Sequence, residues 1–342
     1  REKVTCEEPW FNAAVARSVP PREVRTNKRA QESITLEANK LRAAGTWLED
    51  KVREKWQVAA EARRDKKIVH FLDLFAICVV KDSELPEDQQ RYKGRIVAGG
   101  HNVKDQDGQS AIFKELSSAP ASMASGKMAD SYGRIEGNTT EQADAEQAYI
   151  QSKFEGDETW ISLPPELRPE SWSKFKNPVC PLNLSLYGHP DSGGYWEKHC
   201  DKALCECGFE PIPNWRSCYY RPEFQLFLIV YVDDFKMSGP IANMEKGWAL
   251  LRPKIKMDDP TDFNHFLGCT HLEGVAELEG NGKTVRTMTY DMEDFLVACV
   301  DLYKDLAGDK AKIKFASTPF IDDLHADSSV PLRDFPWLQC PW

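Results

Sequence analysis

Asp233 and Asp234 follow directly on the run Phe224-Gln-Leu-Phe-Leu-Ile-Val-Tyr-Val232, and Phe235-Lys-Met-Ser-Gly239 follows them. The apolar run reads as a buried strand. Unpaired charge is costly at the buried end of a strand, so the two acids must meet cations or stand exposed at a turn. The pattern predicts a β-hairpin with carboxylates at its tip, a place where a divalent metal could be held. A plain acidic hairpin turn is the other reading. A second group carries the opposite charge. Lys93 and Arg95 stand two residues apart in the segment Arg91 to Gly100, so on a strand both project from one face. A triphosphate needs such paired donors, and Arg can grip phosphate oxygens with two bonds. Two solvated strand cations would give the same pattern.

The elements that must position these groups follow from composition. Ile68 to Val80 has the β-branched and aromatic content of a strand, Ser83 to Gln90 is a polar connection, and Arg91 to Gly100 returns as a second strand. These two strands predict a hairpin. Residues 1–30 are rich in Pro and Arg, with little periodicity, and read as a linker or irregular lead-in. Gln31 to Arg64 favours helix, broken in two near Gly45. Phe113 to Tyr132 reads as a loop entering a helix near Ala121. Helical spacing returns from Asn243 to Ile255 and from Asp291 to Leu306.

The chain has 342 residues, of which 41% are apolar and 29% charged, as in a soluble globular protein with two or three subdomains. No stretch reaches the ~18 consecutive apolar residues of a membrane span, so no membrane partner is expected. Beginning at Arg1, the chain reads as a piece of a longer product. Ten cysteines are too sparse for a disulfide scaffold, which fits a reduced intracellular setting, cytoplasmic or nuclear. The Cys205-x-Cys207 spacing is wrong for a zinc knuckle. Net charge is −10, but residues 1–100 carry 20 Lys and Arg against 16 Asp and Glu, whereas residues 101–342 carry 24 against 38. Local basic patches rather than the global sum decide affinity for phosphate.

Tyr231-Val-Asp-Asp234 resembles the Y-x-D-D box of reverse transcriptases, and its flanks resemble the copia-type retrotransposon polymerases. Three further segments are similar to that family in order. Glu141-Gln-Ala-Asp-Ala-Glu-Gln-Ala-Tyr-Ile150 is similar to its first catalytic motif, Ser185-Leu-Tyr-Gly-His-Pro-Asp-Ser-Gly-Gly-Tyr-Trp196 to its S-L-Y-G element, and Phe263-Asn-His-Phe-Leu-Gly268 to its Y-F-L-G element. The basic segment around Lys93 belongs to the fingers in that family, and Ala316-Ser-Thr-Pro-Phe320 is similar to its later S-T-P. The likeness covers about residues 45–320. Read without it, Glu141 to Ile150 is only an amphipathic segment.

The resemblance implies an α+β right-hand polymerase. Residues 31–140 would be fingers-like, 141–275 a palm with an antiparallel sheet, and 276–342 a short thumb-like or connecting tail. Asp144, Asp233 and Asp234 would be the catalytic acids, holding two Mg²⁺ ions for which Mn²⁺ can substitute. Asp144 and Asp233 should then lie side by side at the end of one sheet. Lys93, Arg95 and Tyr149 would bind the deoxynucleoside triphosphate, with Tyr149 excluding a 2′-hydroxyl. Gly188, Phe266, Leu267 and Gly268 would meet template and primer. The expected activity is RNA-directed DNA synthesis on an RNA or DNA template, beside other parts of a Pol polyprotein, in a retrotransposon particle or the nucleus. Asp191 departs from the family's Gln, and Gly193-Gly194 replace its Pro-Arg. Pro190 and the Gly pair are expected to turn Asp191 away from the nucleotide, to cap a helix beginning near Tyr195. A non-catalytic remnant that binds nucleic acid, or a polyprotein scaffold, stays open as another reading.

Overall fold

In the computed structural model, residues 17–81, 87–113, 120–278 and 282–308 are described. The chain divides into two units, Arg1–Phe295 and Leu296–Trp342. Its elements begin with β1 (Arg17–Ser18), α1 (Pro21–Val24), α2 (Lys28–Ala43), β2 (Arg53–Glu54), α3 (Lys55–Asp65), β3 (Val69–Lys81), β4 (Arg91–Ala98) and α4 (Met123–Gly133). Next come β5 (Asn138–Asp144), β6 (Glu158–Ser162), β7 (Pro178–Pro181), α5 (Ser192–Glu206), β8 (Glu210–Pro211), β9 (Cys218–Arg221), β10 (Leu226–Tyr231) and β11 (Asp234–Pro240). Then follow α6 (Ile241–Leu251), β12 (Thr261–Asp262), β13 (His265–Phe266), β14 (Cys269–Glu277), β15 (Thr284–Asp291) and α7 (Glu293–Ala307). This is an α+β chain with three sheets among the described residues.

The first sheet runs β1-β3-β6-β7-β2, with β4 also paired to β3. The expected hairpin is present, β3 and β4 being antiparallel from Leu74↔Ala98 to Lys81↔Arg91. Helix α2 sits directly on β4 at Gly94, where an added Cβ would lie 2.6 Å from the Ile34 backbone. That contact buries the Gly94 face and leaves Lys93 and Arg95 exposed on the other. The stretch 17–30, expected as an irregular lead-in, is ordered into this sheet. Ser18 and Arg17 pair with β3, and α2 already begins at Lys28, capped by the Asn27 side chain. The Asn side chain supplies a cap that composition over a Pro/Arg-rich window conceals.

The second sheet is antiparallel throughout, in the order β12-β5-β11-β10-β9-β8. Its β10 explains the unbroken apolar run. Leu226, Leu228 and Val230 pack with Trp196, Leu204 and Trp248 on one face, while Phe227 and Ile229 pack with Ala129, Phe263 and Phe266 on the other. Alternate residues of a strand point to opposite faces, and here both faces are covered. The two sheets do not follow the sequence boundary expected at residue 141. β6 and β7, beyond it, join the first sheet, and α4, before it, packs on the second. The third sheet, β13-β14-β15, is a long ribbon. The boundary expected at residue 276 falls inside β14, and Ala316–Phe320 lie outside the described residues.

One residue breaks the apolar pattern. Lys236, in the middle of β11, is 1% exposed and forms an ion pair with Asp130 of α4, itself 1% exposed. Asp130 also accepts a hydrogen bond from the Tyr290 hydroxyl of β15 at 2.9 Å. The Lys236 ammonium lies 3.9 Å from the centre of the Phe263 ring. Burial lowers the Lys236 pKa, and Asp130 opposes that shift. This pair joins α4, the second sheet and the ribbon. Lys236→Met leaves the buried Asp130 charge without its lysine, and it should cost about 3–5 kcal/mol in a urea unfolding titration. Adding Asp130→Asn should restore part of that loss.

Candidate active site

Strand β5 pairs with β11 from Asn138↔Pro240 to Asp144↔Asp234. Asp144, at the last position of β5, therefore stands opposite Asp234, at the first position of β11. Tyr231↔Asp234 closes the β10–β11 hairpin, leaving Val232 and Asp233 as a two-residue turn. Val232 adopts φ +60°, an uncommon conformation for a β-branched residue. Its neighbours hold it there. The Trp196 indole nitrogen donates to the Val232 carbonyl at 2.6 Å, and the Ala145 amide donates to the Asp233 carbonyl at 2.7 Å. Trp196 was legible only as part of a motif, because nothing in its spacing announces a bond to a turn 36 residues later.

The three acids shift one another. Burial raises the Asp234 pKa, and the Asp233 and Asp144 charges raise it further, to about 7. Its carboxyl hydrogen-bonds the Asp144 carboxylate. Asp144 reaches solvent, yet surrounding protein desolvates it enough to raise its own pKa, with Asp233 and Asp258 pushing the same way. Asp258, whose amide donates to the Asp144 carbonyl at 2.9 Å, lies in a loop without any sequence signal. Among the described residues, no three His, Cys, Asp or Glu side chains form a ready-made metal cage. The Asp144 and Asp234 side chains hydrogen-bond one another beside Asp233. The donor set still fits a hard divalent cation, since it is all oxygen and, among the described residues, Lys81 and Lys93 act on it without forming an ion pair within 4 Å. A bound cation would relieve the repulsion from Asp233 and Asp144 that adds to burial in lifting the pKa of Asp234.

Other expected residues gather around Asp233. Its charge reaches Lys93, Tyr149 and Tyr187. The Tyr149 and Tyr187 rings meet at 4.5 Å between centroids with a 49° tilt. Arg95 lies over the Tyr187 ring, its guanidinium carbon 5.8 Å from the centroid. Burial, then Asp233, pushes the Tyr187 hydroxyl up to about 12. The Lys93 pKa is lowered, first by desolvation and then by Lys81 and Arg95. Neither Lys93 nor Arg95 has an ion-pair partner within 4 Å among the described residues. Tyr187 and Lys81 were not singled out by sequence, although Tyr187 precedes the Gly188 that was.

Gly188 has a packing reason for being glycine: its φ is +87°, and an added Cβ would lie 2.3 Å from the Ala98 carbonyl oxygen. Phe266 is buried below Lys236, whereas Leu267 and Gly268, at φ +52° and +77°, form the tight turn between β13 and β14. Leu267 is exposed at that tip. Asp191 departs from its expected role. It occupies the N-cap position of α5, which begins at Ser192, but its side chain makes no cap hydrogen bond. The carboxylate bonds the Tyr195 side chain instead, and its charged neighbours are His70, Asp157 and Lys198 rather than the three acids. A helical φ,ψ of −90°, −6° at Asp191 aims the side chain past the first free amides.

With this geometry in hand, the family model of reverse transcriptase (RNA-dependent DNA polymerase) matches residues 56–290, and the chain belongs to that family. No match to the chain is found among curated proteins. The matched span includes both large sheets' central strands, the three acids, Lys93, Arg95 and Tyr149. No helix among the described residues is long and apolar enough to cross a membrane.

The acid pair makes stability depend on pH. An ordinary aspartate titrates near 4, while folded Asp234 titrates near 7. Between those values the folded protein holds more protons than the unfolded chain, so stability falls as pH rises through the window. Thermal melts in chelator should show this decline from about pH 4 to pH 7, and Asp234→Asn should flatten it. An unchanged slope in the variant would remove Asp234 as its source.

Proposed function

We propose that this chain is the reverse transcriptase of a copia-type retrotransposon, carrying out RNA-directed DNA synthesis. The observation that carries the reading is the pairing of Asp144 with Asp234 beside the Asp233 turn, with Lys93, Tyr149 and Tyr187 under the influence of the Asp233 charge and Arg95 over the Tyr187 ring. The second sheet is read as the palm, the first as the fingers, and the residues beyond the ribbon as a thumb-like tail of a Pol product.

Asp144, Asp233 and Asp234 would hold the divalent ions, Mg²⁺ with Mn²⁺ able to substitute. When bound, such ions supply Lewis acidity at the primer 3′-hydroxyl and neutralise the departing pyrophosphate. The protein's own part is binding and orientation. Lys93 and Arg95 meet the triphosphate as a pair of cations with no ion-pair partner among the described residues, and Arg95 is held over Tyr187. Tyr149, braced by Tyr187, closes the space where a ribose 2′-hydroxyl would sit. No nucleophilic side chain is required, because the attacking hydroxyl belongs to the primer. Leu267 and Gly268 present a rigid turn to the primer, and Gly188 lets the template-side segment lie close against β4. The turning of Asp191 toward Tyr195 and Lys198 supports an active enzyme over a degenerate remnant. At an effective dielectric near 20, a carboxylate 4 Å from a phosphate charge would oppose binding by about 4 kcal/mol.

Primer extension on a homopolymer template with Mg²⁺ or Mn²⁺ tests the reading. The wild type should extend, and Asp144→Asn should abolish extension while the melting profile stays cooperative. A folded wild type that never extends would return the chain to the non-catalytic reading. Tyr149→Ala should raise ribonucleotide incorporation relative to deoxyribonucleotide. Unchanged discrimination would take Tyr149 out of the gate.

A further inference from the structure

Two clefts meet beside the acid turn. The inner one, a small pocket of about 20 Å³, reaches from Tyr149 and Val232 to Trp196. It shares Glu197, Ser217 and Tyr219 with an outer cleft of about 570 Å³, lying between α5 and the loop 212–217. The two adjoin along those residues, and the inner one ends at Val232, next to Asp233 in the turn.

The outer end carries the chemistry of a strand-binding surface. Trp215 is 38% exposed there. Arg216 beside it is exposed, with no ion pair or hydrogen bond to any described residue. Lys198 lines the facing wall from α5 and is also exposed. Of the acids in the wall, Asp201 is engaged by the Tyr219 hydroxyl at 3.0 Å. The loop is held in an unusual shape, with Asn214 at φ +65° and Ser217 at +55°. Neither residue is glycine, so surrounding structure must maintain that backbone. The loop is also tied to the acid end of the sheet, since the Val230 amide donates to the Ser217 carbonyl at 2.9 Å.

Sheet order then separates two paths. In β12-β5-β11-β10-β9-β8 the acids lie on β5 and at the β10–β11 turn. One edge, β12, leads on to the Leu267-Gly268 tip read above as the primer contact, and the other edge, β8–β9, carries Trp215. We propose that this outer groove carries the unpaired template strand toward the acids, with a base stacked on Trp215 and phosphates met by Arg216 and Lys198. The proposal rests on the nucleotidyl-transfer reading of the acid site. An exposed indole flanked by cations suits an unpaired base, because every base offers a face for stacking whatever its sequence. A duplex offers no such face along its length.

Fluorescence anisotropy on a labelled primer–template distinguishes the possibilities, using the whole chain and two ligands. One is blunt, and the other bears about eight unpaired template nucleotides, made as RNA and as DNA. The wild type should prefer the extended ligand. Trp215→Ala should lose about tenfold in affinity for the extended ligand alone, and Trp215→Phe should keep most of it. Arg216→Ala should reduce the salt slope by about one for the extended ligand. Trp215→Ala binding the extended ligand like wild type, or weakening both ligands equally, would overturn the proposal. Extension activity reports separately on the acids. A chain that extends primers without Trp215-dependent preference loses this inference alone. A chain that does not extend but keeps the preference loses the polymerase reading alone.

Discussion

Three carboxylates have to be held together although they repel one another, and the backbone register of one strand pair does this. Seven consecutive cross-strand pairs fix β5 against β11, so the last pair, Asp144 with Asp234, has no freedom to slip apart. A slip by one residue would turn every side chain of β5 to the opposite face. It would pull Ala143 out of the core it shares with Phe235 and Met237. The apolar packing on one side of the sheet thus supports the charge repulsion at its end.

The same strand meets a second electrostatic demand two residues on. Lys236 lies on the face of β11 that Asp234 also uses, and it is buried beneath α4 with Asp130 as its partner. A buried pair of this kind gives little net stability. It does fix position, because Asp130 binds the Tyr290 hydroxyl and faces His271 across 3.9 Å. The ribbon bearing the Leu267-Gly268 tip is thereby tied to the strand that begins with Asp234. Distance between tip and acids is then a property of the core rather than of a loop.

The first sheet contributes through two close backbone approaches. Gly94 brings α2 onto β4 and turns Lys93 and Arg95 outward, and Gly188 brings Tyr187 against the end of the same strand. Tyr187 then lies under Arg95 with Tyr149 against its ring, and it feels the Asp233 charge. One tyrosine therefore links the cations of the first sheet with the acids of the second. The altered segment from Asp191 to Gly194 keeps that arrangement, because Asp191 turns into a pocket with Tyr195 and His70.

Local pattern was sufficient for the β10–β11 hairpin, the β3–β4 hairpin and the shared face of Lys93 and Arg95, because strand periodicity and turn chemistry act over a few residues. The ordered motifs carried the family, and with it the candidate Asp144, which its own segment does not distinguish from a surface acid. Sequence alone did not reveal that β6 and β7 join the first sheet, that α4 covers the second, or that the stretch from Arg17 to Lys28 is ordered. Those depend on pairings between residues far apart in the chain, where each partner looks ordinary by itself. Lys236 is the clearest case. In a strand it reads as a solvated cation, and only the tertiary placement of Asp130, 106 positions earlier, makes it buried. The same holds for Trp196 at the Val232 turn, Asp258 beside Asp144, and Trp215 at the mouth of the groove. Their chemistry is written in their side chains, but their neighbours are chosen by the fold.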